Sequence, residues 1–340
     1  MATTVTSSQT NLVNPLIKAA LEEGLKYQND TFAEKMYTKE YIDQPGLVDT
    51  SISTSHFLIP LQEDEVPQGV GVVEGFQSYI PWQTLGLSRQ ITKVASLQKG
   101  GNELMNLVKS HGEDMVRSKD AYSLQPFRLA FDSSYTIADG QSLISTAHPL
   151  RSGGSYSNTF TDGIQRALTY ETLLDAVSIL NRQVDHSGNP VVSSSKFTIL
   201  VPNEQRIVEQ AFQLIGGDMS ALKAGTQNND QSYFRKYEGN MFNLIVSNSM
   251  TLNVARAIGE TTNTYASNES SWVNRWFVID EMRAKKYLAQ AVLKGYENLT
   301  QSLLTESFSQ KEIFTTSFGF GVRAGIANWV FGSRGDNAAL

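Results

Sequence analysis

A long amphipathic helix is the sequence feature that most constrains how this chain can fold. Mostly apolar residues recur at alternating steps of four and three between residues 94 and 122, so they share one helical face. They are Leu97, Gly101, Leu104, Val108, His111 and Met115. Pro126 ends the helix, because the residue before a proline disfavours helical backbone. At about 1.5 Å per residue the helix would be roughly 40 Å long, too long for a small compact domain to bury alone.

Length and composition indicate an elongated subunit, or two or three domains. The chain has 340 residues, 40% of them apolar, and no run of about 18 apolar residues that would span a bilayer. It has no cysteine, which excludes disulfides, thiol nucleophiles and cysteine-ligated zinc and suits a reducing cytoplasm. The N-terminus has no secretion-signal pattern. A net charge of −6 offers no basic face for DNA phosphates, so nearby DNA would be enclosed and not tightly bound.

The first quarter of the chain has few regular elements. Asn14 and Pro15 suit the start of a helix, and the scattered aromatic residues that follow favour an arm that packs on another subunit. Residues 59–92 read as extended, are broken by three prolines, and carry four acidic residues against one base, Arg89. Prolines keep such strands at sheet edges. We predict a projecting two-stranded hairpin here, which needs a supporting surface such as a neighbouring copy.

The rest of the chain mixes helices and strands without a regular βαβ repeat, which predicts an α+β fold. Thr169 is a suitable N-cap for a helix that starts at Tyr170, and Asn203 for a second helix. The nearly all-apolar run Phe197–Val201 predicts a strand covered on both faces. Further strands are predicted at 241–246, 273–279 and 318–326. The last of these alternates apolar with small or polar residues, as a strand with one buried face does.

The segment 139–154 contains residue types found in active sites, but no recognisable catalytic pattern. Asp139, Ser145 and His148 would form a triad only if the fold brought them together, and no GxSxG motif presents a nucleophile. No HExxH or other metal-binding histidine pair occurs. We interpret His148 as holding a loop in place, and we predict no enzyme activity, cofactor or metal. The alternative is a cytosolic serine hydrolase that uses Ser145 or Ser152 with His148.

Several segments after residue 139 together resemble a known family. They read DGQSLISTAHPL, GGSYSN, LTYETLLDAVSIL and KFTILVP, followed by MFNLIVSNSM, RWFVID and TSFGFGVRAGIANWVFGS. Their order and character resemble tailed-phage major capsid proteins of the Hong Kong 97 (HK-97-like) type. The first four are similar to the segment that joins two domains in those shell proteins, and the last three fall where the family has strands. The resemblance covers residues 60–335.

The resemblance implies an architecture and a function. Residues 1–58 would be an N-terminal arm, 59–92 an extended loop, 93–164 and 286–340 a peripheral domain with the long spine helix, and 165–285 an axial domain. Subunits of this family form pentamers and hexamers, which build an icosahedral shell around non-specifically packaged double-stranded DNA. The expected location is the virion, after synthesis in the host bacterial cytoplasm. Portal, scaffolding or decoration proteins are the expected partners, with no membrane.

The resemblance also bears on contacts between subunits. Some relatives crosslink a lysine of the extended loop to another subunit, but the loop has no lysine here, so we predict no such crosslink. The inter-subunit contacts are expected at apolar residues of the arm and loop: Leu16, Tyr27, Phe32, Tyr37, Phe76, Tyr79 and Trp82. The alternative within the same fold is an encapsulin-type nanocompartment, which encloses enzymes instead of DNA.

Overall fold

The computed structural model describes residues 19–26, 32–42, 48–52, 74–79, 82–92, 102–216, 241–260, 269–293, 300–306 and 311–338. The helices are α1 (residues 19–25), α2 (Phe32–Met36), α3 (Asn102–Ser123), α4 (Gln125–Arg128), α5 (Tyr170–Asn181), α6 (Gln205–Gly216), α7 (Leu252–Ala257), α8 (Glu269–Val273) and α9 (Glu281–Tyr287), with a 3-10 turn at Asn248–Met250. The strands are β1 (Thr38–Ile42), β2 (Val48–Ile52), β3 (Glu74–Tyr79), β4 (Trp82–Thr92), β5 (His148–Pro149), β6 (Ser155–Tyr156), β7 (Phe197–Pro202), β8 (Phe242–Ser247), β9 (Trp276–Asp280), β10 (Leu288–Leu293), β11 (Thr300–Glu306), β12 (Lys311–Ala324) and β13 (Val330–Ser333).

A four-stranded sheet separates two hydrophobic clusters in the described part of the chain. Its order is β13-β9-β7-β8, with β7 and β8 parallel and the other pairs antiparallel. Every residue of β7, β9 and β13 is buried. Because side chains alternate along a strand, Trp276 and Val278 enter a hydrophobic cluster with α5 and α6, while Phe277 and Ile279 enter another with α2 and α4. The prediction that Phe197–Val201 is covered on both faces is confirmed.

The strand β12 belongs to both a second sheet and a ribbon. Its last residues, Gly321–Ala324, pair with β10, which lies beside parallel β1, whereas Lys311–Ser317 pair with β11 on the same edge. All of strand β4 runs antiparallel along the opposite edge of β12. Strands β4, β12 and β11 therefore form a three-stranded ribbon that continues beyond the residues paired with β10.

The strand pairing corrects two predictions. Strand β3 pairs with β2, which lies in the predicted arm, and β4 pairs with β12, so these two strands do not form the predicted hairpin within 59–92. The pairing with β12 satisfies backbone groups along all 11 residues of β4, which explains the preference. Strand β13 falls in the predicted peripheral segment 286–340, but pairs with β9 of the predicted axial segment 165–285. The other domain boundaries stay predictions.

The long helix is present as α3, with 22 residues, and its predicted face is buried at Val108, His111 and Met115. The part predicted before residue 102 lies outside the described residues. Helix α1 crosses α3 at a contact of two glycines, Gly24 and Gly112. A methyl group on Gly24 would lie 2.2 Å from a backbone carbonyl oxygen of α3, so only glycine allows this approach. Part of the predicted arm therefore packs on the long helix of its own subunit.

The two helices that cover the central sheet begin differently from one another. Thr169 caps α5 as predicted, because its hydroxyl accepts from the backbone N–H of Thr172 at 3.2 Å and the Thr172 hydroxyl accepts from the Thr169 N–H at 2.8 Å. Helix α6 begins only at Gln205, and the Asn203 side chain donates to Asn248 instead of capping it. Among the helical residues that the structure describes, no span is long and apolar enough to cross a membrane.

Candidate assembly elements and the buried histidine

The segment with active-site residue types folds as a small hairpin. Strands β5 and β6 pair antiparallel, and residues 150–154 form the tip between them. Gly153 and Gly154 have φ angles of +92° and +87°, which side chains strongly disfavour. The tip is closed by hydrogen bonds from Leu150 N to Gly154 O at 3.0 Å and from Gly153 N to Leu150 O at 3.2 Å. The two glycines therefore shape this hairpin.

His148 lies at the base of the hairpin with no exposed surface. Its Nδ1 atom is 2.7 Å from Oδ2 of Asp139, and its Nε2 atom is 3.1 Å from Oδ1 of Asn158. The ring stacks on Tyr156, with 5.0 Å between centroids. Burial raises the pKa of Tyr156 well above its ordinary value, so this neighbour stays neutral. His148 thus ties the hairpin to the preceding loop, as the sequence interpretation proposed.

The side-chain amide of Asn158 fixes the direction of its hydrogen bond with His148. Its Nδ2 donates to the carbonyl oxygens of Leu143 at 2.7 Å and Ala327 at 3.3 Å, while Oδ1 accepts from Ser145 N at 2.9 Å. Oδ1 therefore accepts from Nε2 of the histidine, which must carry a proton. The other ring nitrogen, Nδ1, faces Oδ2 of Asp139.

The geometry does not place a serine nucleophile against His148. Asp139 and Asn158 already occupy both ring nitrogens, and the Ser145 hydroxyl accepts from a backbone N–H two residues on, at 3.2 Å. Ser152 lies on the exposed tip, at the opposite end of the hairpin. The arrangement therefore offers no support for the hydrolase hypothesis at this histidine. Among the described residues, no group of three His, Cys, Asp or Glu is placed to hold a metal ion.

Two aromatic residues expected to contact another subunit are buried in their own. Phe32 is fully buried, with its ring 4.9 Å from that of Phe127. Tyr37 is 8% exposed, and its hydroxyl donates to a carbonyl oxygen at the end of α3 at 2.5 Å. Burial raises the pKa of Tyr37 well above its ordinary value. The expectation is corrected for Phe32 and Tyr37, because both side chains belong to the hydrophobic core of their own subunit. Leu16 and Tyr27 lie outside the described residues.

Three other expected contacts lie on β3 and β4. Phe76 is half-buried beneath the guanidinium group of Arg151, which is 4.5 Å from the ring centroid. Arg151 also donates through Nη2 to the carbonyl oxygen of Gly75 at 3.3 Å. Tyr79 ends β3 and Trp82 begins β4. Contacts of these three aromatic residues with another subunit stay predictions.

Strand β4 has exposed residues on both faces. They are Gln83, Thr84, Gly86, Leu87, Ser88 and Gln90. Since neighbouring residues of a strand point to opposite faces, neither face of β4 is fully covered within the subunit. Arg89 anchors the strand, because its guanidinium group bonds Asp114 and lies 3.4 Å from the Ser110 hydroxyl, both on α3. A ribbon with little core of its own gains stability from a partner surface.

Sequence reasoning missed Arg151, Asn158 and Gly24, which join segments far apart in the chain. Arg151 reaches across 75 positions to Phe76, and no local periodicity encodes that contact. One sequence signal was available. The glycine pair Gly153–Gly154 predicts a tight turn, and a residue that enters such a turn, as Arg151 does, can contact other segments of the chain.

Comparison with known proteins gives one type of match. No protein-family model matches the chain, and no curated protein matches it. Among solved structures, a chain of the capsid of the native GTA particle is 8% identical, with a TM-score of 0.51 over 90% of each chain. A chain of Mycobacterium phage Ogopogo is 11% identical, with a TM-score of 0.49 over 90% of this chain and 92% of that one. A virus-like particle from Pyrococcus furiosus is 13% identical, with a TM-score of 0.47 over 94% and 98%.

The chain shares its overall fold with a chain of the native GTA particle capsid, because the likeness extends over 90% of both chains. At 8% identity the likeness establishes the fold alone. The capsid fold expected from the sequence is confirmed as a mixed α and β architecture. The assignment of arm, extended loop, peripheral domain and axial domain within that fold stays a prediction.

Proposed function

We propose that this chain is a major capsid (head) protein that assembles with copies of itself into a closed icosahedral shell around double-stranded DNA. The observation that carries the proposal is the capsid fold, which the chain shares over 90% of its length with the GTA capsid chain. Pentamers and hexamers are the proposed assembly units, and the virion is the proposed location. Portal, scaffolding or decoration proteins are proposed partners, on the strength of the sequence resemblance.

The three-stranded ribbon supports self-assembly. Both faces of β4 have exposed residues, including Leu87 at 39%, although the strand is anchored at Arg89. A neighbouring copy that covered the ribbon would remove apolar surface from water, worth roughly 25 cal/mol per Å². Such contacts are individually weak, but each is repeated in every subunit of a closed shell. The ribbon is therefore a favourable place for contacts between copies.

The charge of the chain supports enclosure of DNA without tight binding. A net charge of −6 gives no overall attraction for phosphates. We also propose that the chain has no catalytic activity, because its most suggestive histidine is buried and holds two neighbouring side chains instead of a nucleophile.

Assembly is tested on the purified full chain by electron microscopy and sedimentation over a range of protein and salt concentrations. We expect closed shells, or rings of five and six subunits. Leu87→Asp, which places a charge at an exposed position of β4, should reduce assembly while leaving the thermal unfolding of the subunit unchanged. A protein that stays monomeric under all of these conditions would refute the proposal.

The enclosed material is tested on particles isolated from the cells in which this gene naturally occurs. Nuclease-resistant double-stranded DNA inside the particles is the expected result. Particles that contain a packaged enzyme and no DNA would overturn this part of the proposal and identify an encapsulin-type nanocompartment.

A further inference from the structure

We propose that Arg151 is a positioning residue that fixes the ribbon formed by β2 and β3 against the body of the subunit, and so sets the angle between neighbouring subunits. The first half of this inference concerns the isolated chain alone. The second half rests on the proposed shell function.

Arg151 makes two contacts with the same strand. Its guanidinium group lies 4.5 Å from the centroid of the Phe76 ring, and its Nη2 atom donates to the Gly75 carbonyl oxygen at 3.3 Å. The first contact restrains the height of the arginine above the ring, and the second restrains its position along the strand. Together they define where β3 lies relative to the hairpin tip.

The hairpin tip is itself held by a hydrogen bond to the turn at residues 185–189. Arg151 N donates to the carbonyl oxygen of His186 at 2.8 Å. That oxygen belongs to a tight turn in which Oδ1 of Asp185 accepts from Ser187 N and Asn189 N, both at 2.9 Å. The backbone of Arg151 is therefore held in place by hydrogen bonds, and its side chain restrains the position of β3 relative to that backbone.

The base of the hairpin connects to the central sheet. Asn158 holds the Ala327 carbonyl oxygen through its side chain, and its own carbonyl oxygen accepts from Gly332 N of β13 at 3.3 Å. The described structure thus contains a continuous path from β13, through the hairpin, to Arg151 and β3. A ribbon positioned in this way follows the orientation of the central sheet.

The ribbon needs such an anchor because it has few strands. Strands β2 and β3 pair only with each other among the described residues, and their register shifts between Thr50 and Ile52. Two-stranded ribbons are marginally stable in water and twist more than larger sheets. Removal of Arg151 would leave their direction to the other contacts of the ribbon, including the approach of β3 to β12.

Hydrogen exchange measured on the full-length chain tests the positioning. In Arg151→Ala we expect amides of β2 and β3 to exchange about 5- to 30-fold faster, with β7 and β9 unchanged. Arg151→Lys keeps the positive charge and should show a smaller increase. Arg182→Ala is the matched control, because Arg182 is an exposed arginine at the end of α5 with no described contact to the ribbon.

Three exchange results would overturn the positioning: unchanged exchange in β3, an equal increase in the Arg182→Ala control, or an increase that extends through β7 and β9. The consequence for assembly is read from particle diameters by electron microscopy. We expect a broader distribution of diameters for Arg151→Ala than for the unmodified chain. Equal distributions would overturn the link to the subunit angle. If the unmodified chain forms no particles, the proposed function fails, while the exchange experiment still decides the role of Arg151.

Discussion

Replacement of Asn158 by alanine tests the buried network at the base of the β5–β6 hairpin. The amide has no exposed surface and satisfies two backbone carbonyl oxygens, one backbone N–H and the Nε2 atom of His148. A buried polar group left without a partner costs about 1–3 kcal/mol, and costs within one network do not add fully. We therefore expect Asn158→Ala to lower the free energy of unfolding by about 3–5 kcal/mol, as is typical for disruption of a buried polar network.

The assay is urea unfolding of the disassembled subunit, followed by tryptophan fluorescence. Trp276 and Trp329 are fully buried and report on the two sides of the central sheet. Protein concentration must be varied, because assembly would add to the apparent stability. Asn243→Ala is the matched control, since Asn243 is exposed and donates only to the Glu281 carboxylate among the described contacts.

The control should lose no more than about 0.5 kcal/mol, as surface substitutions generally do. A loss for Asn158→Ala as small as that of the control would refute the reasoning, because it would mean that the network has other partners for its donors and acceptors. An unchanged slope of free energy against urea is required for the comparison, since a changed slope indicates an altered unfolded state.

Three further predictions follow from the packing. Gly24→Ala should release α1 from α3, because the new methyl group would collide with a backbone oxygen of α3. The amides of residues 19–26 should then lose their protection from hydrogen exchange. Glu22→Ala, on the exposed side of α1, is the control. Phe32→Ala should lower the unfolding free energy by about 3–5 kcal/mol in the isolated subunit, and an effect seen only on assembly would contradict its place in the core. Stability should fall as the pH rises above about 10, because the unfolded chain then releases protons from tyrosines that burial keeps protonated in the fold. Absorbance titration should show these residues ionising at a higher pH in the folded subunit than in the urea-unfolded chain. They are Tyr37, Tyr135, whose pKa is raised to about 12, and Tyr156.

The elements predicted best from the sequence are those with strong local patterns. Helix α3 has a mostly apolar face, and α5 has both an apolar stripe and a capping threonine. Strand β7 is apolar at nearly every position, which is how a strand buried on both faces reads. In each case a few neighbouring residues contain the whole signal, so one sequence suffices.

The strand pairings and the connecting side chains could not be predicted in this way. Strand β4 pairs with residues more than 200 positions later. Strand β13 pairs with β9 of the central sheet, although its position in the chain predicted that it would belong to the peripheral domain. Phe32 shows the same limit, since an aromatic residue in a polar segment reads equally well as an interface contact and as the anchor of a docked helix. Side-chain type sets what a residue can contact, whereas the distant chain decides which contact it makes.

The polar character of the β5–β6 hairpin has a physical reason once its neighbours are known. Apolar packing stabilises a junction, but it is non-directional and tolerates small rotations. Hydrogen bonds restrain both distance and angle, and a network that satisfies every member restrains them together. His148 and Asn158 fix the base of the hairpin against the preceding loop and β13, and Arg151 fixes its tip against β3. If the hairpin had only to stabilise the subunit, leucine side chains at these positions would be as suitable as the polar ones. Because it also has to hold the β2–β3 ribbon in a fixed direction, it requires directional contacts at both its base and its tip.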